Sequence, residues 1–447
     1  MRPVAPFLAA CFMAAVMTTT LKPEQALAAE GGSADVEVVR TPGGLEAYLI
    51  HAPAVPFLSM AFDFEGGGAL DPEGKEGLAY MVSGLLDEGA GDLDSEAFRT
   101  ELEDRSIRLS FDATKDGFAG SLKTLTEERG RAFELLRLAV TQPRFDEEPV
   151  GRIRSQILSS LDRQLEDPQY VASESWFATA FQGHPYARTT QGTPASIEAI
   201  TVDDMRGFVG RRLAQGNLRI GVAGDITAAE LAPLLDATFG ALPEEAAPVE
   251  VANVEPMPGG TTVIRKNLPQ SVVMFGHGAV ARHDPDYYAA YVANYILGGG
   301  GFSSRLMEEI REKRGLAYSV YSYLYPLDHA SLWIGGTGTE NARVSQSIEI
   351  LRREVARMAA GEVTQEELDN AKTYLTGSFP LRLTSNDEIA RMLVGMQTAK
   401  LGPNFLKERN GFIEAVDLDD LKRVAERVFS ADRLHVVVVG NPPDLEG

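Results

Sequence analysis

The chain has 447 residues, 44% of them hydrophobic and 24% charged, a length beyond one compact core and a composition typical of a globular protein with two or more domains. Its formal charge of -22 argues against nucleic acid or an anionic membrane surface as a partner, since both would repel it, while basic peptides stay compatible. The single cysteine, Cys11, lies near the N-terminus, which removes disulfides, thiolate metal sites and cysteine nucleophiles from the rest of the chain.

The opening "MRPVAPFLAACFMAAVMTTTLKPEQALAAE" places Arg2 before an apolar run from Ala5 to about Met17 and ends on Ala26-Leu27-Ala28. This pattern predicts a signal peptide over 1–28 and a periplasmic or secreted protein. The run is too short to span a bilayer, which takes about 20 apolar residues. "LAAC" resembles a lipoprotein signal, but Cys11 leaves almost no apolar segment ahead of it.

Residues 29–241 read as a first unit. "VEVVRTPGGLEAYLI" and "PFLSMAFDFEGG" alternate as strands do, the former around a Pro-Gly-Gly turn. Helical periodicity follows over Gly74 to Glu88, Ser95 to Asp104, Glu127 to Val140 and 148–167, interrupted by the strand pair "IRLSFDATKDGFAGSLKTL". The unit closes on a helix "TVDDMRGFVGRRL", a strand "NLRIGVAGD" and a helix "TAAELAPLLDATFG". Residues 242–260, rich in Pro, Ala and Glu and without a helical stripe, predict a linker. The second unit, 261–447, repeats the earlier ending: "DLDDLKRVAERVFSADRLHVVVVGNP" parallels "TVDDMRGFVGRRLAQGNLRIGVAGDI". The repeat predicts a duplicated α+β unit of about 200 residues, each with a mainly antiparallel sheet and packed helices, the two enclosing a cleft.

Familiar catalytic patterns are missing. Of His51, His184, His277, His283, His329 and His435, no two lie three to five residues apart, so no helical pair can grip zinc from one face. Structural roles are expected for each. No glycine-x-serine-x-glycine elbow occurs. "ILGGGGFSSRL" lacks the Gly-Lys-Ser/Thr ending of a phosphate loop and the spacing of a dinucleotide loop. Its four glycines, Gly298, Gly299, Gly300 and Gly301, instead predict a flexible loop contacting a peptide, because bare backbone lets another chain approach closely.

Three stretches carry a resemblance: the glycine run, "SRLMEEIREKRGLAYSVYS" and "HPYARTTQGTPASIEAIT". With them the chain, over about Val36 to Pro443, resembles the insulinase/pitrilysin family of zinc peptidases, in the branch of mitochondrial processing peptidase. The resemblance implies two homologous α+β units facing each other across a chamber. It also implies an H-x-x-E-H helix in active members, whose two histidines share a helical face while the glutamate activates a metal-bound water. A more distant glutamate completes that site. In "GLAYMVSGLLDEG" Tyr80 stands at the first histidine, Ser83 at the glutamate and Gly84 at the second histidine, and Ser160 at the distant glutamate. Glu76, Asp87 and Glu88 lie nearby but read as a solvated helix end, since carboxylates without imidazole or thiolate ligate zinc poorly.

The resemblance further implies an Arg/Tyr pair that reaches substrate from the second unit, here Arg311 and Tyr318. "FSSRLMEEIREKRG" predicts a short helix with Gly315 as a left-handed cap, followed by a strand from Tyr318. Arg can take a peptide carbonyl or carboxylate, and the Tyr hydroxyl can donate to a developing oxyanion. The plain alternative pairs Arg311 with Glu308 on a solvated helix and packs Tyr318 in the sheet. Arg305 either shapes the glycine loop or pairs with Glu308 or Glu309 on the surface.

The expectation is a zinc-free, noncatalytic subunit of a heterodimeric secreted metalloendopeptidase. Zinc and H-x-x-E-H would belong to a homologous partner subunit, and the substrate would be a peptide. A silent peptide-binding or assembly protein of the same fold is the alternative, and an independent peptidase with an unrecognised site is a third.

Overall fold

The computed structural model describes residues 35–445; the expected signal peptide and Cys11 lie outside the described residues. The first sheet is built from β1 (Glu37–Arg40), β2 (Glu46–His51), β3 (Phe57–Glu65), β4 (Arg108–Ala113), β5 (Gly117–Leu125) and β6 (Leu218–Gly224). Their spatial order is β1-β2-β6-β3-β5-β4. The β1–β2 hairpin turns at Gly44, whose φ of 93° favours glycine, as the Pro-Gly-Gly signal predicts. Helices α1 (Leu78–Ser83) and α2 (Ser95–Asp104) join β3 to β4. After β5 come α3 (Arg129–Thr141), α4 (Glu147–Gln164), α5 (Pro168–Ala180), α6 (Pro194–Ala199) and α7 (Val202–Arg212), and after β6 comes α8 (Ala228–Phe239).

Residues 241–260 carry neither helix nor strand. Beyond them the second sheet contains β7 (Thr261–Arg265), β8 (Gln270–Gly278), β9 (Ala317–Pro326), β10 (Ser331–Glu340) and β11 (His435–Gly440), in the order β7-β11-β8-β10-β9. Its helices are α9 (Tyr287–Asn294), α10 (Val344–Ala359), α11 (Gln365–Gly377), α12 (Asn386–Thr398), α13 (Phe405–Glu414) and α14 (Leu418–Val428). Setting β1 aside, the two sheets have the same order, and in each the last strand is parallel to the first and antiparallel to the second. The duplicated sequence endings are thus α7–β6 and α14–β11. On α14 the buried Leu421, Val424, Ala425 and Val428 recur at three and four residues and face the core.

Each sheet buries one face against its own helices: Phe62 and Phe64 do so in the first unit, Phe275 and Trp333 in the second. The opposite faces are covered reciprocally. α5, from the first half of the chain, lies on β11 and β8, while α12, from the second half, lies on β6, β3 and β2. Trp176 of α5 is fully buried and donates its indole N–H to the His435 carbonyl at 3.2 Å. Gln397 of α12 donates to the Ile220 carbonyl at 2.6 Å. Both approaches use a glycine floor: a Cβ on Gly276 would lie 2.9 Å from the Trp176 ring, and one on Gly221 would lie 2.8 Å from Leu393 Cβ. Between the units opens a cavity of about 1010 Å³, walled by Asp63, Lys115 and Asp116 on one side and Arg282, Tyr325 and Asp328 on the other.

Candidate functional site

The helix predicted over Gly74 to Glu88 is shorter than its periodicity, because both ends are set by glycine and by one buried carboxylate. Asp71, 3% exposed, accepts the Gly77 and Ala79 N–H groups at 2.9 and 3.1 Å and so starts α1. Gly77 has a φ of 91°, and a Cβ there would meet the Gln191 carbonyl oxygen at 2.7 Å. Gly84 ends the helix. Tyr80 is half-buried against the first core, and burial, helped by the Asp112 charge, pushes its hydroxyl pKa up. Ser83 is buried and donates to the Tyr80 carbonyl at 2.8 Å. A Cβ on Gly84 would sit 3.3 Å from Ile153 Cγ2 of α4. Ser160, on that same α4, accepts from Gln164 at 3.5 Å.

These four positions do not fit a zinc ion. Two neutral serine hydroxyls, a phenol held protonated by its surroundings and a glycine hydrogen offer neither imidazole nor carboxylate. Among the described residues, no group of three or more His, Cys, Asp or Glu is arranged to hold a metal ion. The histidines that bond backbone carbonyls behave as structural groups: His51 to Ile226, His184 to Ala252, His277 to Gly278 and His435 to Gly259, at 2.8 to 2.9 Å.

The carboxylates after α1 are not the solvated helix end that the sequence led us to expect. Glu88 is 5% exposed. It accepts from Arg152 at 2.6 and 3.2 Å, from Arg99 at 2.9 Å and from Ser95 at 2.5 Å. Burial alone would raise its pKa, but these hydrogen bonds and the two guanidinium charges outweigh it and hold the carboxyl below its usual range. Asp87 goes the other way, pushed up to about 6 by burial and by the Glu88 charge. A local acidic run carries no mark of the arginines that fold onto it from α2 and α4.

The glycine run is a helical turn rather than an open loop. Tyr295–Gly299 continues α9 as a wide turn, and Gly301–Ser303 follows as a tight one. Gly298 is buried, and its missing side chain leaves room for Ser322 of β9; a Cβ on Gly299 would meet Asn294 Nδ2 at 2.6 Å. Asn294 in turn accepts from Ser322 and from the Trp333 indole, both at 2.8 Å. Close packing therefore explains Gly298 and Gly299. Arg305 is not a surface residue: it is 8% exposed and grips Glu367 of α11 through two bonds of 2.6 and 2.7 Å.

The next helical segment, Met307–Glu312, ends in the expected left-handed cap, with Gly315 at a φ of 59° and its N–H bonded to the Arg311 carbonyl at 2.7 Å. That reversal brings Arg311 to the start of β9. The Arg311 guanidinium carbon lies 5.1 Å from the Tyr318 ring centroid and 4.5 Å from that of Phe302. Tyr318 is 82% exposed and does not pack into the sheet. Arg311 pairs with Glu312 at 3.4 Å, while Glu308 pairs with Lys313. The sequence reading joined Arg311 to Tyr318 and missed Phe302; a lone phenylalanine directly after four glycines was the available signal.

Two family descriptions match the chain: "Insulinase (Peptidase family M16)" over residues 47–194 and "Peptidase M16 inactive domain" over residues 199–375. A Helicobacter pylori protein named non-peptidase homolog YmxG is 29% identical over 333 residues, covering 74% of this chain and 76% of its own. A mitochondrial-processing peptidase subunit beta from Lentinula edodes is 22% identical over 428 residues, covering 92% of this chain and 91% of its own. A crystal structure of a peptidase M16 inactive domain from Pseudomonas fluorescens superposes with a TM-score of 0.85 at 28% identity, over 91% of this chain and 98% of that one.

Proposed function

The chain belongs to the M16 peptidase family as a catalytically inactive subunit of the fold, and from that premise we propose that it serves a two-subunit metalloendopeptidase outside the cytoplasm. In this reading a homologous partner subunit carries H-x-x-E-H and supplies the zinc-activated water. This chain contributes half of the peptide chamber together with Arg311 and Tyr318. The observation that carries the proposal is an asymmetry. The zinc positions hold Tyr80, Ser83, Gly84 and Ser160, whereas Arg311 and Tyr318 stand together and Tyr318 is 82% exposed.

The chemistry asked of this chain is modest. Arg311 binds a carbonyl or carboxylate of the peptide through its N–H groups, and Tyr318 O–H donates to the carbonyl oxygen as negative charge develops there. Neither residue needs to lose a proton. The extracytoplasmic location rests on the signal-like N-terminus. Among the described residues no helix is long and apolar enough to cross a membrane.

The test is to co-purify the chain with an H-x-x-E-H homologue, first sought in an adjacent gene, and to follow cleavage of a peptide library. Arg311→Ala in the mixed complex is expected to raise KM about 10- to 100-fold, the scale of losing a charge-assisted hydrogen bond to the peptide. Cleavage unchanged by that substitution would sink the assigned role. A silent binding or assembly role is favoured by the non-peptidase name of the Helicobacter pylori relative. It predicts that no zinc-bearing partner co-purifies.

A further inference from the structure

Phe302 is 68% exposed, so burial gives its side chain little. A single exposed phenylalanine needs no explanation by itself, but this ring lies against a charge that already faces a second ring. The segment carrying it is held at several points. A Cβ on Gly300 would meet the Tyr295 carbonyl oxygen at 2.8 Å, and Gly301 takes a φ of 56°. Ser304, fully buried, donates to the Gly301 carbonyl at 2.7 Å, and Arg305 behind it is fastened to Glu367. The glycine run thus forms a bracket with Phe302 at its tip. Among the described residues Arg311 has one ion-pair partner, Glu312, at 3.4 Å from its Nε.

We propose that Phe302 is a positioning residue: with Tyr318 it clamps the Arg311 guanidinium between two aromatic rings, leaving N–H groups outward for a planar acceptor, a peptide carbonyl or carboxylate. A guanidinium on a flexible stem loses rotamer entropy when it binds, and stacking it beforehand lowers that cost. The glycine run then acts by presenting Phe302 rather than by offering bare backbone amides to the peptide. The inference deepens the peptidase reading, since it takes from it that Arg311 is the group in contact with peptide.

Two measurements separate the clamp from that reading. On the isolated chain, the Arg311 Nε–H resonance, assigned through Arg311→Lys, is expected to carry the ring-current shift of a stacked guanidinium. It should move towards the free value in Phe302→Ala and Phe302→Leu and return in Phe302→Trp. A resonance unmoved in Phe302→Ala, or restored as well by leucine as by tryptophan, overturns the clamp. In the reconstituted complex, Phe302→Ala is expected to raise KM for a fluorogenic peptide about two- to fivefold at constant kcat, the size of an exposed cation–π contact. It should add nothing to Arg311→Ala. Additive losses overturn the proposal. If Arg311→Ala itself changes nothing, the peptidase reading fails while the resonance still decides the clamp.

Discussion

Glu88 shows how a carboxylate in a local acidic run can be structural. Its carboxylate is buried and gathers Arg99, Arg152 and Ser95, so removing its charge takes the carboxylate from Arg99 and leaves Arg152 only Glu148, at 3.4 Å. Glu88→Gln is expected to lower stability by about 3 kcal/mol, the lower end of the penalty for breaking a buried ion pair because both arginines reach solvent. Its folded pKa lies below the usual range. The stabilisation is therefore present above the unfolded pKa and lost as pH falls through the folded value. Denaturant titrations at pH 7 and pH 3 check this: the gap between wild type and Glu88→Gln should be wider at pH 7 than at pH 3.

At the scale of elements, α1 keeps its place because Gly84 lets α4 come close. A side chain at Gly84 starts 3.3 Å from Ile153 Cγ2, tighter than an ordinary contact, in a core packed like an organic crystal. Gly84→His, which would introduce one zinc-ligand type, must push α4 away. It is expected to cost about 1–3 kcal/mol as overpacking does, and to bind no zinc, because Tyr80, Ser83 and Ser160 supply no second imidazole or carboxylate. Thermal melts with and without added zinc settle this. A variant as stable as wild type would mean that the α1–α4 contact is softer than it looks.

For the whole molecule, the exchange of α5 and α12 makes each sheet depend on the other half of the chain. Neither half can unfold without baring a face of the other, so calorimetry should show one cooperative transition. Trp176→Ala, worth about 3–5 kcal/mol for a buried aromatic, should lower that single midpoint; two separated transitions in wild type would show that the halves fold independently. The seam between the units has its own pH dependence. Burial, with Asp328, Glu65 and Asp116 adding to it and Arg219 opposing, pushes Asp63 up to about 7. Burial and the charges of Asp116 and Glu65 bring Asp328 to about 6, against His329 and Lys400. A raised carboxyl pKa favours the fold below the unfolded pKa and loses that advantage as pH rises through the folded value. Melting temperature should fall from pH 5 to pH 8, and Asp63→Asn should flatten the fall while matching wild type at pH 4. A fall of the same slope in the variant would place its cause elsewhere.

The sequence by itself determined the duplicated α+β unit, the first-half strands and main helices, the absence of a zinc-ligand set in α1, and the turn that joins Arg311 to Tyr318. Each of these is written in local terms: period, caps, glycine spacing and side-chain chemistry. Only the tertiary structure decided which half covers which sheet, that Glu88 is buried, that Arg305 reaches Glu367 instead of Glu308 or Glu309, and that Phe302 lies on Arg311. These depend on contacts between residues far apart in the chain, or on which side of a turn a ring falls. An amphipathic stripe such as that of α12, where Ile389, Leu393 and Met396 are buried, records that a face must be buried but not against what, and an acidic run does not reveal the arginines that arrive from other helices.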